Sequence, residues 1–270
     1  MKKLTAYLLL MTCFFFLVNV SVVAQTGKDA LTGVWKYEWS GWGGIAIMSP
    51  THFIWLLSTE NRQNFSNANP SVGEKAKAFD ALIAEAGTWE LVSGTRAKAT
   101  KLISVNPEAL KTPTVWDFER DGEYLVAWII QADGSRSETP IKSRKMADWG
   151  APGEVDQFNG VWEYVGQNGL YLQAGNYGGW ILLNGPQTDA STEEGKAKNF
   201  DISHCSVAVG TPQGGQRHIW NILHSWDVRQ EKAAYFTDCE ITSPELFNMW
   251  FVDARGKQIG EKWQVRRIGR

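Results

Sequence analysis

Cysteine and histidine are scarce, with three Cys and four His in 270 residues, and charge of either sign is nearly cancelled, 27 Lys and Arg against 29 Asp and Glu. Three cysteines exclude a disulfide-dense scaffold. Balanced charge without a long single-sign run excludes the basic footprint of a nucleic-acid partner or a polybasic membrane patch. Only 21 % of residues are charged and 43 % are hydrophobic, which excludes a disordered chain, and the 26 glycines follow no three-residue period, which excludes collagen. Aromatic side chains stand out against this background. The chain carries 14 Trp, 12 Phe and 7 Tyr, a Trp share several times that of ordinary globular proteins.

The one long apolar run lies at the N-terminus. Lys2 and Lys3 precede a stretch from Leu8 to Val20, and Val22-Val23-Ala24 offers small residues to a signal peptidase, so residues 1–24 read as a signal peptide cleaved after Ala24. The expected product is exported to the periplasm or outside the cell. No later stretch reaches the roughly 20 apolar residues of a membrane span. Cys13 sits mid-run, followed by Phe14, Phe15 and Phe16, which argues against lipidation.

The second half of the chain repeats the first. Gly33-Val34-Trp35-Lys36-Tyr37 recurs as Gly160-Val161-Trp162-Glu163-Tyr164. Lys75-Ala76-Lys77-Ala78-Phe79-Asp80 recurs as Lys196-Ala197-Lys198-Asn199-Phe200-Asp201, and Glu123, Trp128, Gly134 and Arg144 match Glu245, Trp250, Gly256 and Arg266. Three landmarks in one order at nearly fixed offsets imply two homologous domains, 25–146 and 159–270, joined by a Gly/Pro-bearing linker at 147–158.

Within each half the apolar period is two. Trp35-Lys36-Tyr37-Glu38-Trp39 alternates aromatic and charged residues, and Thr114 to Glu119, a turn at Asp121-Gly122, and Tyr124 to Ile130 form a hairpin. A meander of short antiparallel strands escapes exposed edges by closing on itself, so the expected fold is all-β, two tandem β-barrels each with a short helix. Val72 to Ala86, rich in Ala, Lys, Glu and Leu, reads as the helix of the first half.

A Gly-x-Trp on the first strand (Gly33 with Trp35, Gly160 with Trp162) and a basic residue on the last (Arg144, Arg266) resemble the lipocalin, or calycin, group. Ala78-Phe79-Asp80, Ala86-Gly87-Thr88-Trp89-Glu90, Asn106-Pro107 and Phe118-Glu119-Arg120-Asp121-Gly122 look like bacterial lipocalin-like domains. The second half lacks the Ala-Gly-Thr and Asn-Pro elements. In physical terms, Trp35 and Trp162 would plug the barrel floors, each presenting its ring to a guanidinium from the closing strand, Arg144 or Arg266. Trp128 and Trp250 are expected in the core.

Five tryptophans lie on strands or loops that could line or lid a pocket: Trp39, Trp42, Trp55, Trp220 and Trp226. Trp42 lies beside Gly41, Gly43 and Gly44, which lack the strand-to-helix context of a phosphate loop and suit a barrel mouth. From Arg217 to Asp227, strand alternation puts His218, Trp220, Ile222, His224 and Trp226 on one face. His218 and His224 are the candidate catalytic bases, with Asp201 or Asp227 as partner carboxylates. Six strand residues separate them by about 20 Å, so they cannot share a metal, and neither metal nor cofactor is expected. His204 and Cys205 point to opposite strand faces, which separates thiol from base, and His204 is expected at the surface or hydrogen-bonded. Cys205 and Cys239 are an even pair that export would allow to form a disulfide. The leading expectation is a protein that binds a small hydrophobic or aromatic molecule inside a barrel. An enzyme on the same scaffold, an isomerase, cyclase or hydratase acting on such a molecule, is the alternative implied by fold-level analogy. A surface-associated interaction protein with filled barrels is the third.

Overall fold

The computed structural model describes residues 27–62, 64–65, 68–150, 158–213 and 217–269. Residues 1–24 and most of the 147–158 linker lie outside them. The first half forms β1 (Gly33–Trp39), β2 (Trp42–Met48), β3 (His52–Thr59), α1 (Val72–Asp80), β4 (Leu82–Ser93), β5 (Arg96–Ser104), β6 (Thr114–Asp121), β7 (Tyr124–Ile129) and β8 (Ile141–Ala147). The second forms β9 (Gly160–Tyr164), β10 (Asn168–Ala174), β11 (Tyr177–Leu183), α2 (Glu193–Ile202), β12 (Ser203–Pro212), β13 (Arg217–Ser225), β14 (Ala234–Ser243), β15 (Leu246–Val252) and β16 (Gln258–Gly269). Each set is a closed eight-stranded antiparallel barrel in sequence order, sealed by β1 on β8 and by β9 on β16.

The helix of the first half is shorter than the Ala, Lys and Glu content of 72–86 suggests. Ser71 and Glu74 form a capping box at its start, and the chain turns into β4 at Leu82, where it pairs with β3 from Ser58↔Leu82 to His52↔Thr88. Leu82-Ile83-Ala84 is apolar on both faces because this wall is covered on both sides, by the barrel interior and by the other barrel, and such a strand loses its alternation.

That second cover is a large apolar cluster shared by the two barrels. Ile45, Ile47, Ile54 and Leu56 on the outer wall of barrel 1 join Leu172, Ile181, Cys205 and Val207 on that of barrel 2. The helices complete the junction. Lys75 of α1 pairs with Asp201 of α2 at 2.7 Å, and Lys196 of α2 pairs with Asp80 of α1 at 2.8 Å. The repeated Lys-Ala-Lys-x-Phe-Asp motif is thus self-complementary, an isologous contact within one chain.

Both barrel floors carry the expected tryptophan, but the cation over it is one residue further along. Trp35 and Trp162 are buried, and their indole N–H groups donate to the carbonyls of Leu31 (2.8 Å) and Phe158 (2.7 Å). Lys145 Nζ stands 5.1 Å and Arg120 Cζ 5.5 Å from the Trp35 ring, and Arg267 Cζ stands 4.1 Å from that of Trp162. Arg144 and Arg266 point outward, to Glu123 at 3.6 Å and to Glu163. The cause is strand alternation: Trp35 is in register with Lys145 and Trp162 with Arg267, whereas Arg144 and Arg266 face Lys36 and Glu163. Trp128 and Trp250 also lie outside the barrel cores, under Arg136 (4.6 Å) and Lys262 (4.1 Å).

The two cysteines are free and buried, on opposite faces of the barrel 2 wall. Cys205 faces the junction and Cys239 faces the interior, so the suggested disulfide is not formed. Burial pushes both thiols up, Cys239 to about 12, so neither is a thiolate at neutral pH.

Candidate functional site

Barrel 2 encloses a cavity of about 350 Å³. Its wall is aromatic: Tyr164, Tyr171, Trp180, Trp220, Trp226, Tyr235, Phe251 and Trp263, with Leu182, Met249 and Ile259 between them. A few polar groups interrupt it, among them Asn184, His204, Ser206, Gln230 and Thr237. Backbone geometry makes room for the central ring. A Cβ on Gly210 or Gly178 would come within 2.6 or 2.9 Å of the Trp220 indole, so β11 and β12 carry glycine where that ring lies flat against them. The Trp220 N–H donates to Thr237 Oγ1 at 2.9 Å, which fixes the ring as wall. His204 meets Trp226 edge-on at 4.9 Å, and burial lowers its pKa, so it lines the cavity as a neutral imidazole. The alternation that separates His204 from Cys205 holds, but it turns the histidine inward rather than to the surface.

Barrel 1 holds a smaller cavity of about 180 Å³, lined by Tyr37, Trp39, Trp55, Trp116, Leu57, Ile83, Glu85, Thr114 and apolar residues of β7 and β8. Its chemistry differs. Glu85 points inward from β4, with Lys101 Nζ 4.0 Å from its carboxylate, and both side chains are about nine-tenths buried. Burial pushes the Glu85 carboxyl up to about 7 against the opposing pull of Lys101.

The five tryptophans singled out by sequence therefore divide. Trp39 and Trp55 line barrel 1, and Trp220 and Trp226 line barrel 2. Trp42 faces Trp39 across the Ser40-Gly41 turn and lines neither cavity.

The two histidines do not share a face. His218 is buried beneath Trp220, edge-on to Phe158 at 5.3 Å. Beyond Ile222 the β12–β13 ladder slips by one residue, leaving Leu223 exposed and turning His224 to the outer wall. There it meets barrel 1: Nε2 lies 3.1 Å from Ser58 Oγ, and Nδ1 lies 3.1 Å from Glu231, which also binds Arg62. Burial alone would raise the Glu231 pKa, but hydrogen bonding and charge from His224 and Arg62 outweigh it and lower it. Asp201 and Asp227, the nominal partners, are held by Lys75 and Arg229. Ser58, His224 and Glu231 stand in the order of a nucleophile, base and orienting acid. Ser58 sits 3 % exposed in the barrel junction and lines neither of these two cavities, and the three groups bridge the barrels.

Sequence reasoning missed Glu85, Lys101, Ser58, Glu231 and Arg62. Glu85 was legible as a lone carboxylate among Ile83, Ala84 and Ala86, a pattern hidden once that stretch is given to a helix. The Ser58–His224 contact joins residues 166 positions apart and left no local signal. Among the described residues, no three His, Cys, Asp or Glu converge as a metal site, and no helix is long and apolar enough to cross a membrane.

No family model and no curated protein matches the chain. Among solved structures, it is similar to a protein of unknown function of the DUF3598 family from Nostoc punctiforme PCC 73102. The two are 10 % identical over 90 % of this chain and 99 % of that one, with a TM-score of 0.17.

Proposed function

We propose that this is an exported, lipocalin-like protein that holds a small hydrophobic or aromatic molecule in barrel 2. The observation that carries the reading is the cavity of about 350 Å³ walled by eight aromatic rings, a size and lining typical of small-molecule sites. Tyr and Trp rings supply contact area with few rotatable bonds, so little entropy is lost on closing around a flat guest. Ser206, Thr237 and Asn184 are the polar groups that would orient it. The apolar run and small residues of 1–24 support export. Unlike a barrel filled by its own tryptophans, this one keeps Trp220 pressed against Gly178 and Gly210 as part of the cavity wall.

The test is titration of the purified protein with N-phenyl-1-naphthylamine, a neutral aromatic probe. Its emission should rise and intrinsic Trp emission should fall along one saturating curve of unit stoichiometry. Met249→Trp, which puts a further large ring into the lumen, should weaken the probe at least ten-fold. A flat titration, or equal binding by that variant, rejects the reading.

A further inference from the structure

Buried indole N–H groups in this protein find acceptors. Those of Trp35, Trp89 and Trp162 donate to the carbonyls of Leu31, Ser49 and Phe158, and that of Trp220 donates to Thr237. Trp39 and Trp55 are the exceptions: their Nε1 atoms are buried and have no hydrogen-bond partner among the described residues. Both rings line the barrel 1 cavity. Leaving a donor buried without an acceptor costs about as much as losing a hydrogen bond, and two in one cavity is a concentration that packing alone does not produce.

Their surroundings define what would complement them. Trp55 is in cross-strand register with Glu85, so a donor and a carboxyl stand side by side on the same inner face. The Trp55 ring is edge-on to Trp116 at 5.5 Å, which gives a flat apolar wall next to these polar groups. Lys101 is engaged by Glu85 and by the Thr112 carbonyl at 2.9 Å. At about 180 Å³ the space suits a single ring, since an engineered apolar cavity of about 150 Å³ accepts benzene.

We propose that barrel 1 is a second ligand site, distinct from that of barrel 2, for a small neutral single-ring amide whose carbonyl oxygen accepts from the Trp39 and Trp55 indoles and whose N–H donates to Glu85. A purely apolar guest would leave both indole donors unpaired, and a carboxylate would meet Glu85. An amide supplies a carbonyl acceptor and an N–H donor together on one planar group.

The probe is benzamide, with toluene as the same ring lacking polar atoms, each titrated into ¹⁵N-labelled full-length protein while the indole N–H resonances are followed. Benzamide is expected to shift the Trp39 and Trp55 resonances, to bind at least ten-fold more tightly than toluene, and to bind Met249→Trp unchanged. Trp39→Phe and Trp55→Phe keep the ring and remove the donor, and each should weaken benzamide about three- to ten-fold. Thermal melts of both variants check that the barrel remains folded, and the resonance shifts in the unsubstituted protein provide a readout that needs no variant. Equal binding of toluene and benzamide, shifts confined to Trp220, or an amide preference that survives the double Phe variant would overturn the proposal. So would the absence of any shift, which would mean that water alone occupies the donors. Loss of the naphthylamine site with retention of benzamide would separate a failure of the barrel 2 reading from a failure of this one.

Discussion

Arg96 binds Asp117 in two parallel contacts of 2.6 and 3.1 Å, and 121 residues later Arg217 binds Asp238 in two of 2.7 and 2.8 Å. The walls of the two barrels coincide to that level of detail, and the interiors do not. The same offset sets Ala97, Ala99 and Lys101 of β5 against His218, Trp220 and Ile222 of β13, and Trp116 of β6 against Thr237 of β14. Where one barrel carries its bulk on the fifth strand, the other carries it on the sixth: Ala99 with Trp116 in barrel 1, Trp220 with Thr237 in barrel 2. The Glu85–Lys101 pair becomes Ser206 and Ile222. Duplication kept the closure, the plug and the outer ion pairs, and exchanged the lumen's volume and charge between strands. A lumen rebuilt while its frame stays fixed is where two different guests would be accommodated.

The largest test of this comparison concerns the shared frame. Trp35→Ala and Trp162→Ala each remove a buried ring and its hydrogen bond, and each should cost about 3–5 kcal/mol. Because the outer walls share one apolar cluster, either substitution should lower a single denaturation midpoint seen by both fluorescence and circular dichroism. A biphasic curve, with one half unfolding alone, would show that the barrels are independent and that the junction contributes little.

The second test separates the interiors by pH. Glu85 titrates near 7 in the folded protein and near 4.5 in the unfolded chain. As pH rises between those values the unfolded chain releases its proton first, so stability present at low pH is lost, in total on the order of 3 kcal/mol. Barrel 2 has Ser206 at the matching position, and the group that titrates there, His204, is held below its usual range by burial and so acts in the opposite sense, with stability lost as pH falls. Glu231, held below its usual range, acts only at lower pH, where protonation removes its stabilising contacts. Chemical denaturation at pH 5 and pH 8 should show that Glu85→Gln removes this loss, so that between the two pH values the variant gains stability relative to the native sequence, with the buried His204 and His52 contributing equally to both. Equal slopes for the two would remove the charge difference from the comparison.

The frame was legible because its signals are local and repeated: a Gly-x-Trp, a Lys-Ala-Lys-x-Phe-Asp, and alternating strands with turn residues between them. Even the step in offset from 121 to 122 has a structural counterpart, the irregularity of β14 between Ile241 and Ser243. The site was legible in part. Trp39, Trp55, Trp220 and Trp226 could be picked from strand and loop position, whereas Trp116, Trp180 and Trp263, which line the same cavities, were not singled out. Three things escaped for physical reasons. A strand covered on both faces has no period, so Leu82 to Ala86 resembled a helix and Glu85 went with it. A one-residue slip at Leu223 reverses the side chains at the end of β13, which moved His224 from lumen to junction. Contacts between barrels, such as Ser58 with His224, depend on docking that neither half encodes alone.

The smallest expected effect returns to the plug and decides which cation belongs to it. Arg266 and Arg267 are adjacent and equally basic, and only register distinguishes them. Arg267 lies 4.1 Å above the Trp162 ring and also donates to the backbone carbonyls of Pro244 and Asn159, with its side chain about 10 % exposed. Arg266 reaches Glu163 from a side chain 61 % exposed, where an ion pair is screened by water and contributes roughly 0–1 kcal/mol. Arg267→Ala should therefore cost about 1–3 kcal/mol through lost packing and two unpaired carbonyls, and Arg266→Ala about 0.5 kcal/mol or less. In barrel 1 the same logic ranks Lys145→Ala above Arg144→Ala, but with a smaller gap, since Arg120 also covers the Trp35 ring. Equal costs for Arg266→Ala and Arg267→Ala, measured by urea denaturation, would mean that the closing strand is held by its ladder alone and that the cation above the plug is incidental.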